Sequence, residues 1–463
     1  MPNTNSLNDQ ITALQSLLVA GCDFPKFLCH VDDLQQNSLP ELIIAGFPEK
    51  YAQAFLLKIA NYLINKYQYQ NRHEHLVSYP YALIADPANS CPLHCPGCLH
   101  NKTFQEKIGS DWQAGILSEE QFDHFIDEFG PYASTILFYN WGEPLLNQKT
   151  PSFIKTAKSY LLNTTLSSNL SVSFDAEALV LSGLDYMIMS VDGATSESYG
   201  RYRRGGKFEL AIENIRRLVA AKEKHHLATP TLAWQFLLFE HNKHEVALAK
   251  KMAYELGVNE IRFAHPYEVL WEPDLRSARE VKEEVCQIRK NIGDEKHFDL
   301  PANLSSSFSK KFTERWQDKI TGLDQTLFRK RTGKTCKWLY SSLVMDANGR
   351  YLPCCYAPRK NDSGFTYVYG RQGQDGISQP FNSPCYHFSR KHFVWLSELT
   401  NPCGIAPRMP PGQAATYCVA CPSRHSPPLV TDLHLQRYLH TLDWHEALTP
   451  ESIKIVTDRA EKE

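Results

Sequence analysis

The sequence lacks the features that mark several classes of protein. It has no clear excess of either charge, because 49 basic residues are balanced by 51 acidic ones and the net charge is −2. Proteins that bind nucleic acid or anionic membranes usually carry a basic excess, so neither partner is expected. The first residues, MPNTNSLNDQ, lack the basic region and apolar run of a secretion signal, and no apolar run approaches the roughly 20 residues that span a bilayer. We therefore expect a cytoplasmic protein.

Cysteine, by contrast, is plentiful. The chain has 13 cysteines, and in a reducing cytoplasm such residues bind metal or do chemistry more often than they form disulfides. Three lie within residues 91–98 and seven within residues 336–421. The other three, Cys22, Cys29 and Cys286, stand alone and are interpreted as small buried hydrophobic residues. Metal chemistry is therefore expected at the two groups.

Residues 1–80 are predicted to form a helical extension. In the stretch EKYAQAFLLKIANYLINKY, residues Phe55, Ile59 and Leu63 recur at intervals of four and predict one apolar face of a helix. We interpret this face as a packing surface and expect no chemistry in the extension.

Residues 81–266 alternate between short β-like runs and helical patterns. Such alternation predicts parallel strands with helices outside them, which is an α/β fold. Six units fall short of the eight of a closed barrel, so we expect a partial (β/α)6 TIM-like barrel, with its chemistry at the C-terminal ends of the strands. The predicted β-runs begin near residues 81, 136, 164, 186, 231 and 260, and most of the helical patterns lie near 118–130, 151–162, 175–182, 207–225 and 243–256.

The rest of the chain has a different composition. Residues 267–335 are charged and weakly periodic, which predicts a linker with some helix. Residues 336–425 are rich in Cys, Pro, Gly and Tyr and are predicted to form a small second domain. Residues 426–463 have a helical pattern again and are predicted to form a C-terminal tail.

Polar residues follow the predicted strands of the barrel, one group after another. The cysteine loop follows the first strand, and the segment WGEP, which contains Glu143, follows the second. Since the C-terminal ends of parallel strands meet at one edge, we expect these groups to form a single constellation. The third and fourth strands end in Ser168 and Asn169 and in Ser190 and Asp192.

The stretch CPLHCPGCLH places Cys91, Cys95 and Cys98 in the spacing CxxxCxxC. A structural zinc site needs four ligands, so His94 or His100 would have to complete a Cys3His set. A [4Fe–4S] cluster held by three thiolates would instead leave one iron open. The two prolines keep the loop out of a helix, so that thiolates and backbone amides can surround a cluster.

The CxxxCxxC loop after the first strand of a partial barrel resembles that of the radical SAM enzymes. The resemblance implies that the open iron of a [4Fe–4S] cluster binds the amino and carboxylate groups of S-adenosylmethionine (SAM). It also implies that the reduced cluster splits SAM into methionine and a 5′-deoxyadenosyl radical, which abstracts a hydrogen from a substrate. A flavodoxin or ferredoxin-type reductant is the expected partner.

Other segments resemble motifs of the same family in the same order. The segments GEP, LSSNL, SVDG and YRRGG resemble the family's GGEP, ribose-turn, SxDG and YRxGG motifs. Trp141 stands where the first glycine of GGEP is expected, and Gly97 stands where an aromatic residue often contacts adenine. The resemblance implies cofactor contacts from Glu143, Ser168, Asn169, Ser190, Asp192, Arg203 and Gln235.

The second cysteine group contains two pairs. Cys336 and Cys354 fit the pattern Cx12Gx4C and flank a predicted β-hairpin whose turn is DANG, while Cys418 and Cys421 form a CxxC. A hairpin brings its two cysteines together, and two pairs supply four thiolates. Such a set suits either zinc or a [4Fe–4S] cluster.

This second group resembles the auxiliary-cluster domains called SPASM and twitch. The resemblance favours the shorter twitch form, with one auxiliary [4Fe–4S] cluster that accepts an electron during substrate oxidation. Cys355 competes with Cys354 as a ligand, and Cys385 and Cys403 are not expected to be ligands. The implied auxiliary ligands are Cys336, Cys354, Cys418 and Cys421.

Three functions are compatible with these patterns. The first is a radical SAM enzyme that oxidises, cross-links or rearranges a ribosomally synthesised peptide. The second is a radical SAM dehydrogenase of a small molecule, namely a sugar or aminocyclitol. The third is a zinc-binding scaffold without catalytic activity. The sequence identifies no general base.

Overall fold

The computed structural model describes residues 49–108, 113–266, 275–289, 336–355, 368–372 and 380–397, together with residues 416 and 418. Most of the predicted linker and the whole of the predicted C-terminal tail lie outside the described residues. Four cysteines also lie outside them, namely Cys22, Cys29, Cys403 and Cys421.

Six parallel strands form the centre of the fold. They lie side by side in chain order, each parallel to the next, so all six predicted β-runs are confirmed as strands. A mixed α/β fold with a parallel sheet is therefore confirmed, whereas the (β/α)6 barrel form stays a prediction. The strands are β1 (Ala82–Ala85), β2 (Thr135–Phe138), β3 (Asn163–Ser168), β4 (Tyr186–Ser190), β5 (Thr231–Leu237) and β6 (Glu260–Ala264).

Helices separate most of the strands along the chain, and none in the described part is long and apolar enough to cross a membrane. The five helical patterns predicted between residues 118 and 256 are confirmed, and two further helices of this part of the chain, α2 and α6, were not predicted. The helical patterns predicted for residues 1–48 and 426–463 lie outside the described residues. The helices up to β6 are α1 (Glu49–Gln70), α2 (Lys102–Ile108), α3 (Glu119–Phe129), α4 (Thr150–Ser159), α5 (Ala176–Leu181), α6 (Ser196–Tyr202), α7 (Phe208–Lys224) and α8 (Val246–Leu256).

Local sequence signals set the ends of several helices. Ser118 and Gln121 form a capping box at the start of α3, in which each side chain bonds the other's backbone N–H. Asp175 accepts from Ala178 N at the start of α5. Helix α8 ends at Gly257, whose φ of +79° is a conformation that glycine adopts without strain.

The hydrophobic core lies between the sheet and the helices that cover it. The ring of Phe122 on α3 lies 4.6 Å from that of Phe153 on α4 and 5.8 Å from that of Phe138 on β2, measured between centroids. Such pairs stabilise the fold by about 0.5–1.5 kcal/mol beyond their buried area. This packing holds the C-terminal end of β2 in a constant position relative to its neighbours.

The cysteine-rich hairpin extends the same sheet on the other side of β1. Strand β8 (Ser342–Met345) pairs in parallel with β1, and β9 (Arg350–Leu352) and β10 (Gly370–Arg371) follow in antiparallel order. The predicted hairpin is thus present, and Gly349 in its turn has φ +68°. The boundary at residue 336 and a separate auxiliary domain stay predictions.

One strand lies where the sequence predicted a linker. Strand β7 (Glu284–Gln287) pairs antiparallel with β6 at the edge of the described sheet. Its residues alternate between half-buried and exposed, and Val285 remains 53% exposed. The sequence analysis did not predict this strand, because its four residues contain no apolar run, and the linker at residues 267–335 stays a prediction.

The N-terminal helix is joined to the rest of the fold by buried polar side chains. Asn61 and Asn65 each donate to backbone carbonyls outside α1, and the Lys58 ammonium donates to Gly130 O at 2.6 Å. The side chains of the predicted apolar face at Phe55, Ile59 and Leu63 lie outside the described part of the chain. In the C-terminal part, α9 (Trp338–Ser341) and α10 (Pro384–Ser397) are joined by Arg390, which donates to Leu339 O at 2.9 Å.

Candidate active site

The cysteine loop leaves the end of β1 and folds back on itself. Cys98 N donates to Cys95 O at 3.1 Å, and His94 N donates to Arg204 O at 2.9 Å. All three cysteines of the loop are free thiols. Cys95 belongs to a small apolar cluster, and Cys91 and Cys98 pack against that cluster. The three thiols therefore lie on one short loop at the predicted edge of the sheet.

The two histidines of the loop bond backbone carbonyls. His94 Nδ1 lies 3.0 Å from His100 O, and His100 Nε2 lies 2.9 Å from Trp141 O. Among the described residues, no three His, Cys, Asp or Glu side chains are arranged around a single metal ion. In a cuboidal cluster each thiolate binds a different iron, so such a cluster does not require three sulfurs around one point.

Burial and hydrogen bonding act in opposite directions on the thiols. Burial raises the pKa of Cys98 to about 12 and raises that of Cys91 above its ordinary value. Asn169 Nδ2 lies 3.3 Å from Cys91 Sγ, and Arg203 Nη1 lies 4.0 Å from Cys95 Sγ. These donors favour a negative sulfur, which is the form that binds iron. The donor set therefore suits an iron–sulfur cluster.

Glu143 is held between two strand ends. Its side chain is buried, and its carboxylate accepts from Ser168 Oγ at 2.8 Å, from Asn169 N at 2.8 Å and from Leu145 N at 3.0 Å. Burial raises the pKa of Glu143, while these three donors oppose the rise. The structure thus brings together three predicted cofactor contacts, namely Glu143, Ser168 and Asn169.

The backbone before Glu143 approaches the cysteine loop very closely. Glu143 N donates to Ser90 O at 2.8 Å, one residue before the first cysteine. At Gly142, an added Cβ would lie 1.4 Å from Ala88 O, so only glycine can occupy this position without displacing the backbone. The GEP segment is therefore fitted directly against the end of β1.

Asp192 and Arg203 form a buried ion pair. Arg203 Nε lies 2.6 Å from Asp192 Oδ2, and Leu237 N donates to the other carboxylate oxygen at 2.7 Å. Burial raises the pKa of Asp192, while the guanidinium of Arg203 opposes the rise. The sequence predicted separate contacts of these two residues with SAM, and the structure shows that they also bind each other.

The remaining predicted contacts lie on adjacent strands. Ser190 Oγ is 3.4 Å from Ser167 Oγ, and Ser190 is in register with Gln235 on β5. The backbone carbonyl of Gln235 accepts from Val191 N at 3.1 Å. Ser190 is the last residue of β4, and Gln235 lies within β5, as the sequence predicted. The roles of both residues toward a cofactor stay predictions.

The sequence analysis missed two polar residues that follow strands of the parallel sheet, Asp86 and Asn140. Asp86 follows β1, is fully buried, and accepts through Oδ2 from Trp141 N at 3.1 Å and Gly142 N at 3.3 Å. Burial raises its pKa to about 7. Asn140 follows β2, and both its side-chain polar atoms are buried without a partner among the described residues. The signal available in the sequence was their position directly after a strand.

The second cysteine group is partly described. Cys336, Cys354 and Cys418 are buried, and Cys336 and Cys418 belong to the same core cluster. Burial and then the neighbouring Cys354 raise the pKa of Cys336 to about 12. Cys385 packs against the same core from the first turn of α10. The predicted fourth ligand, Cys421, lies outside the described residues, so the auxiliary ligand set stays a prediction.

A family model matches the part of the chain that contains the cysteine loop. Residues 86–231 match the family model of the Radical SAM superfamily, and this part of the chain is therefore a radical SAM domain. The matched range begins at the buried aspartate after β1 and includes the cysteine loop, Glu143, Asp192 and Arg203.

Individual relatives are more distant. The chain is similar to an AdoMet-dependent heme synthase of Methanosarcina barkeri, with 27% identity over 170 residues, which are 36% of this chain and 45% of that protein. The match thus spans less than half of the curated relative. Among solved structures, SuiB of Streptococcus suis bound to S-adenosylmethionine is 14% identical with a TM-score of 0.40 over 70% of each chain. The anSMEcpe structure with AdoMet is 15% identical with a TM-score of 0.40 over 73% of this chain and 93% of that one.

Proposed function

We propose that this protein is a radical SAM enzyme that abstracts a hydrogen from a ribosomally synthesised peptide. One observation carries the proposal. The three free thiols of the CxxxCxxC loop lie at the end of β1, beside groups from the next strands that suit the rest of SAM. A cluster bound there supplies the electron that cleaves SAM reductively and releases the 5′-deoxyadenosyl radical.

The residues around the loop have complementary charges. Glu143 offers a buried carboxylate to the amino group of SAM, and its three hydrogen-bond donors hold it in one orientation. Arg203 offers a guanidinium to the carboxylate of SAM, while Asp192 fixes its position through Nε. Ser190 and Gln235 then line the ribose side. Since Glu143 and Arg203 are both withdrawn from solvent, their interactions with SAM are weakly screened.

The downstream cysteines support an oxidation rather than a simple hydrogen exchange. Cys336, Cys354, Cys418 and Cys421 would hold a second cluster, whose chemistry is one-electron transfer. The first three are buried, and β8, which follows Cys336, pairs with β1 of the SAM domain. A substrate radical formed in the domain would therefore have an electron acceptor nearby in the fold. A flavodoxin or ferredoxin would supply the first electron.

A small-molecule substrate is the second candidate. The observation that favours it is the similarity to an AdoMet-dependent heme synthase, a protein whose name describes work on a small molecule. A sugar or aminocyclitol dehydrogenase would use the same SAM site and the same auxiliary cluster. The peptide proposal rests instead on the resemblance of the second cysteine group to the SPASM and twitch pattern.

Anaerobic reconstitution with iron and sulfide tests the cofactor assignment. We expect about eight irons per chain from two four-iron clusters, together with 5′-deoxyadenosine when SAM and a reductant are added. Replacing Cys91, Cys95 and Cys98 by Ala should abolish SAM cleavage and remove about half the iron. The matched replacement of Cys336, Cys354 and Cys418 should retain SAM cleavage, and the lone Cys286→Ala should change neither quantity. Bound zinc without iron or SAM cleavage would contradict the proposal and favour the scaffold.

Mass spectrometry separates the substrate classes. In the presence of SAM and reductant, a short peptide encoded beside the gene should lose the mass of two hydrogen atoms. Either a new double bond or a new cross-link gives this mass change. Porphyrin precursors and aminocyclitols are the comparison substrates. Turnover of a porphyrin precursor or an aminocyclitol, with no change in the peptide, would favour the small-molecule function over the peptide-modifying function.

A further inference from the structure

The side-chain amide of Asn169 is oriented by its own neighbours. Oδ1 accepts from Ser171 N at 2.9 Å, so the amide nitrogen must point the other way. In that direction Nδ2 lies 3.3 Å from Cys91 Sγ. The residue is only 7% exposed, so water competes weakly for this contact. The hydrogen bond from Ser171 N thus orients the amide so that its nitrogen donates to the sulfur.

The turn that carries Asn169 is held from several sides. Asn169 N donates to Glu143 Oε2 at 2.8 Å, and Leu170 N donates to Ser168 Oγ at 2.9 Å. Asn214 on α7 donates to Leu170 O at 2.9 Å. Leu170 itself has φ +56°, a left-handed conformation that a leucine keeps only when its surroundings impose it. The amide of Asn169 is therefore presented to the sulfur by a rigid turn.

We propose that Asn169 sets the reduction potential of the cluster held by the Cys91 loop, through its hydrogen bond to the Cys91 sulfur. The proposal rests on the proposed function in one respect, namely that a cluster is bound at this loop. It assigns to Asn169 a role toward the ligand sulfur, whereas the sequence predicted a contact with SAM.

The direction of the effect follows from charge. Reduction adds one electron to the cluster, so part of the additional negative charge falls on the thiolate sulfurs. A donor directed at such a sulfur stabilises the reduced form more than the oxidised form and raises the potential. Because the contact is buried, the effect is larger than it would be in water. Asn169 thereby makes the cluster easier for a physiological reductant to reduce.

Two variants of Asn169 separate shape from hydrogen bonding. Asn169→Asp keeps the shape and the bond from Ser171 N but places an anionic acceptor against the sulfur. Asn169→Ala removes the donor and adds no charge. Matched variants at Asn147, a buried asparagine that donates to Pro87 O and Leu117 O, change the same residue type away from the cysteines.

Potentiometric titration of the reconstituted full chain, followed by electron paramagnetic resonance, measures the effect. The relevant signal is the one that changes when SAM is added. At a fixed potential, the ratio of reduced to oxidised cluster should fall at least about threefold in Asn169→Ala and further in Asn169→Asp. Asn147→Ala and Asn147→Asp should leave the ratio at the parent value. If Asn169→Ala does not fold, the isosteric Asn169→Asp decides.

The possible failures differ from one another. A parent protein that binds no cluster at Cys91, Cys95 and Cys98 refutes the proposed function itself. A parent that cleaves SAM, with Asn169 variants at the parent ratio, refutes only the role of Asn169. Equal shifts in the Asn147 variants would also refute that role, since the effect would then be general to buried substitutions.

Discussion

Arg203 donates from Nε to Oδ2 of Asp192 at 2.6 Å, and the side chains of both residues are withdrawn from solvent. The same guanidinium directs Nη1 at Cys95 Sγ over 4.0 Å. One side chain thus connects the end of β4 with the cysteine loop that follows β1. Its planar shape allows the two contacts at once, because the donors of a guanidinium have fixed directions.

Replacing Arg203 by Lys should lower the rate of SAM cleavage by about 10- to 100-fold, although the charge is kept. A single ammonium cannot reach Asp192, the Cys95 sulfur and a SAM carboxylate together. Formation of 5′-deoxyadenosine measures the rate. The control is Arg216→Lys on α7, where the arginine is largely exposed and forms an ion pair with Glu213 at 3.3 Å. Equal rates in both variants would show that the geometry of Arg203 is unimportant.

Replacing Glu143 by Gln should weaken SAM binding by about 10- to 100-fold, the range expected when a charged hydrogen bond is lost. The amide also places a donor against the N–H and O–H groups that the carboxylate accepts from. Equilibrium dialysis with labelled SAM measures the affinity. Glu260→Gln is the control. Glu260 is a buried glutamate at the N-terminal end of β6, whereas Glu143 follows the C-terminal end of β2. Retained affinity in Glu143→Gln would contradict the assigned amino-group contact.

Asp86 predicts a pH dependence of stability. Burial raises its pKa from 3.8 to about 7, so the folded chain binds more protons than the unfolded chain between about pH 4 and 7. The contribution of Asp86 to the free energy of unfolding is therefore fully present below pH 4. It is lost as the pH rises through 7, at up to about 1.4 kcal/mol per pH unit. Asp86→Asn is neutral throughout and keeps an acceptor for Trp141 N and Gly142 N.

Urea denaturation of the cluster-free chain at several pH values tests this difference. The free energy of unfolding of Asp86→Asn should exceed that of the parent by an amount that grows from pH 4 to 7 and is then constant. A difference that does not change with pH would show that Asp86 titrates at its ordinary value in the folded chain.

Gly142 provides a steric prediction. In Gly142→Ala the new Cβ would lie 1.4 Å from Ala88 O, so the backbone must move, at a cost of about 2 kcal/mol or more in unfolding free energy. The movement would also displace Glu143 and weaken SAM binding. Gly200→Ala on α6 is the matched control, because no atom lies within 4 Å of its added Cβ. That variant should be as stable as the parent or more stable, since alanine favours a helix.

Thermal melting measures the stability of both variants, and dialysis measures their affinity for SAM. Similar results for Gly142→Ala and Gly200→Ala would contradict the close approach of Gly142 to Ala88 O.

The strands of the parallel sheet could be predicted because short β-like runs alternate with helical patterns along residues 81–266, even where a run such as NTTLSS has one apolar residue. Strand β7 could not, because the four residues EVCQ show no alternation of apolar and polar side chains and lie within a charged segment. The hairpin of β8 and β9 was predicted from its turn, but its place beside β1 was not. Pairing between Ala82 and Ser342 depends on hydrogen bonds between segments far apart in the chain, which no local pattern encodes.

The site, like the fold, has features that the sequence predicted and features that only the structure shows. The resemblance to radical SAM motifs indicated Glu143, Asp192 and Arg203, and the structure brings them to one edge of the sheet. The hydrogen bonds of Asp86 to the backbone before Glu143, and of Asn169 to Cys91, were not predicted. Both contacts join loops that follow different strands, so they exist only once the sheet has aligned the strand ends.

By itself, the sequence determined the three thiols on one loop, the succession of strands and helices, and the polar residues that end each strand. These properties depend on covalent spacing and on residue preferences over a few positions. The tertiary structure decided which donor meets which acceptor: Asn169 with the Cys91 sulfur, Arg203 with Asp192, and Ser168 with Glu143. Such contacts depend on strand register and helix packing, which place atoms from distant segments within hydrogen-bonding distance.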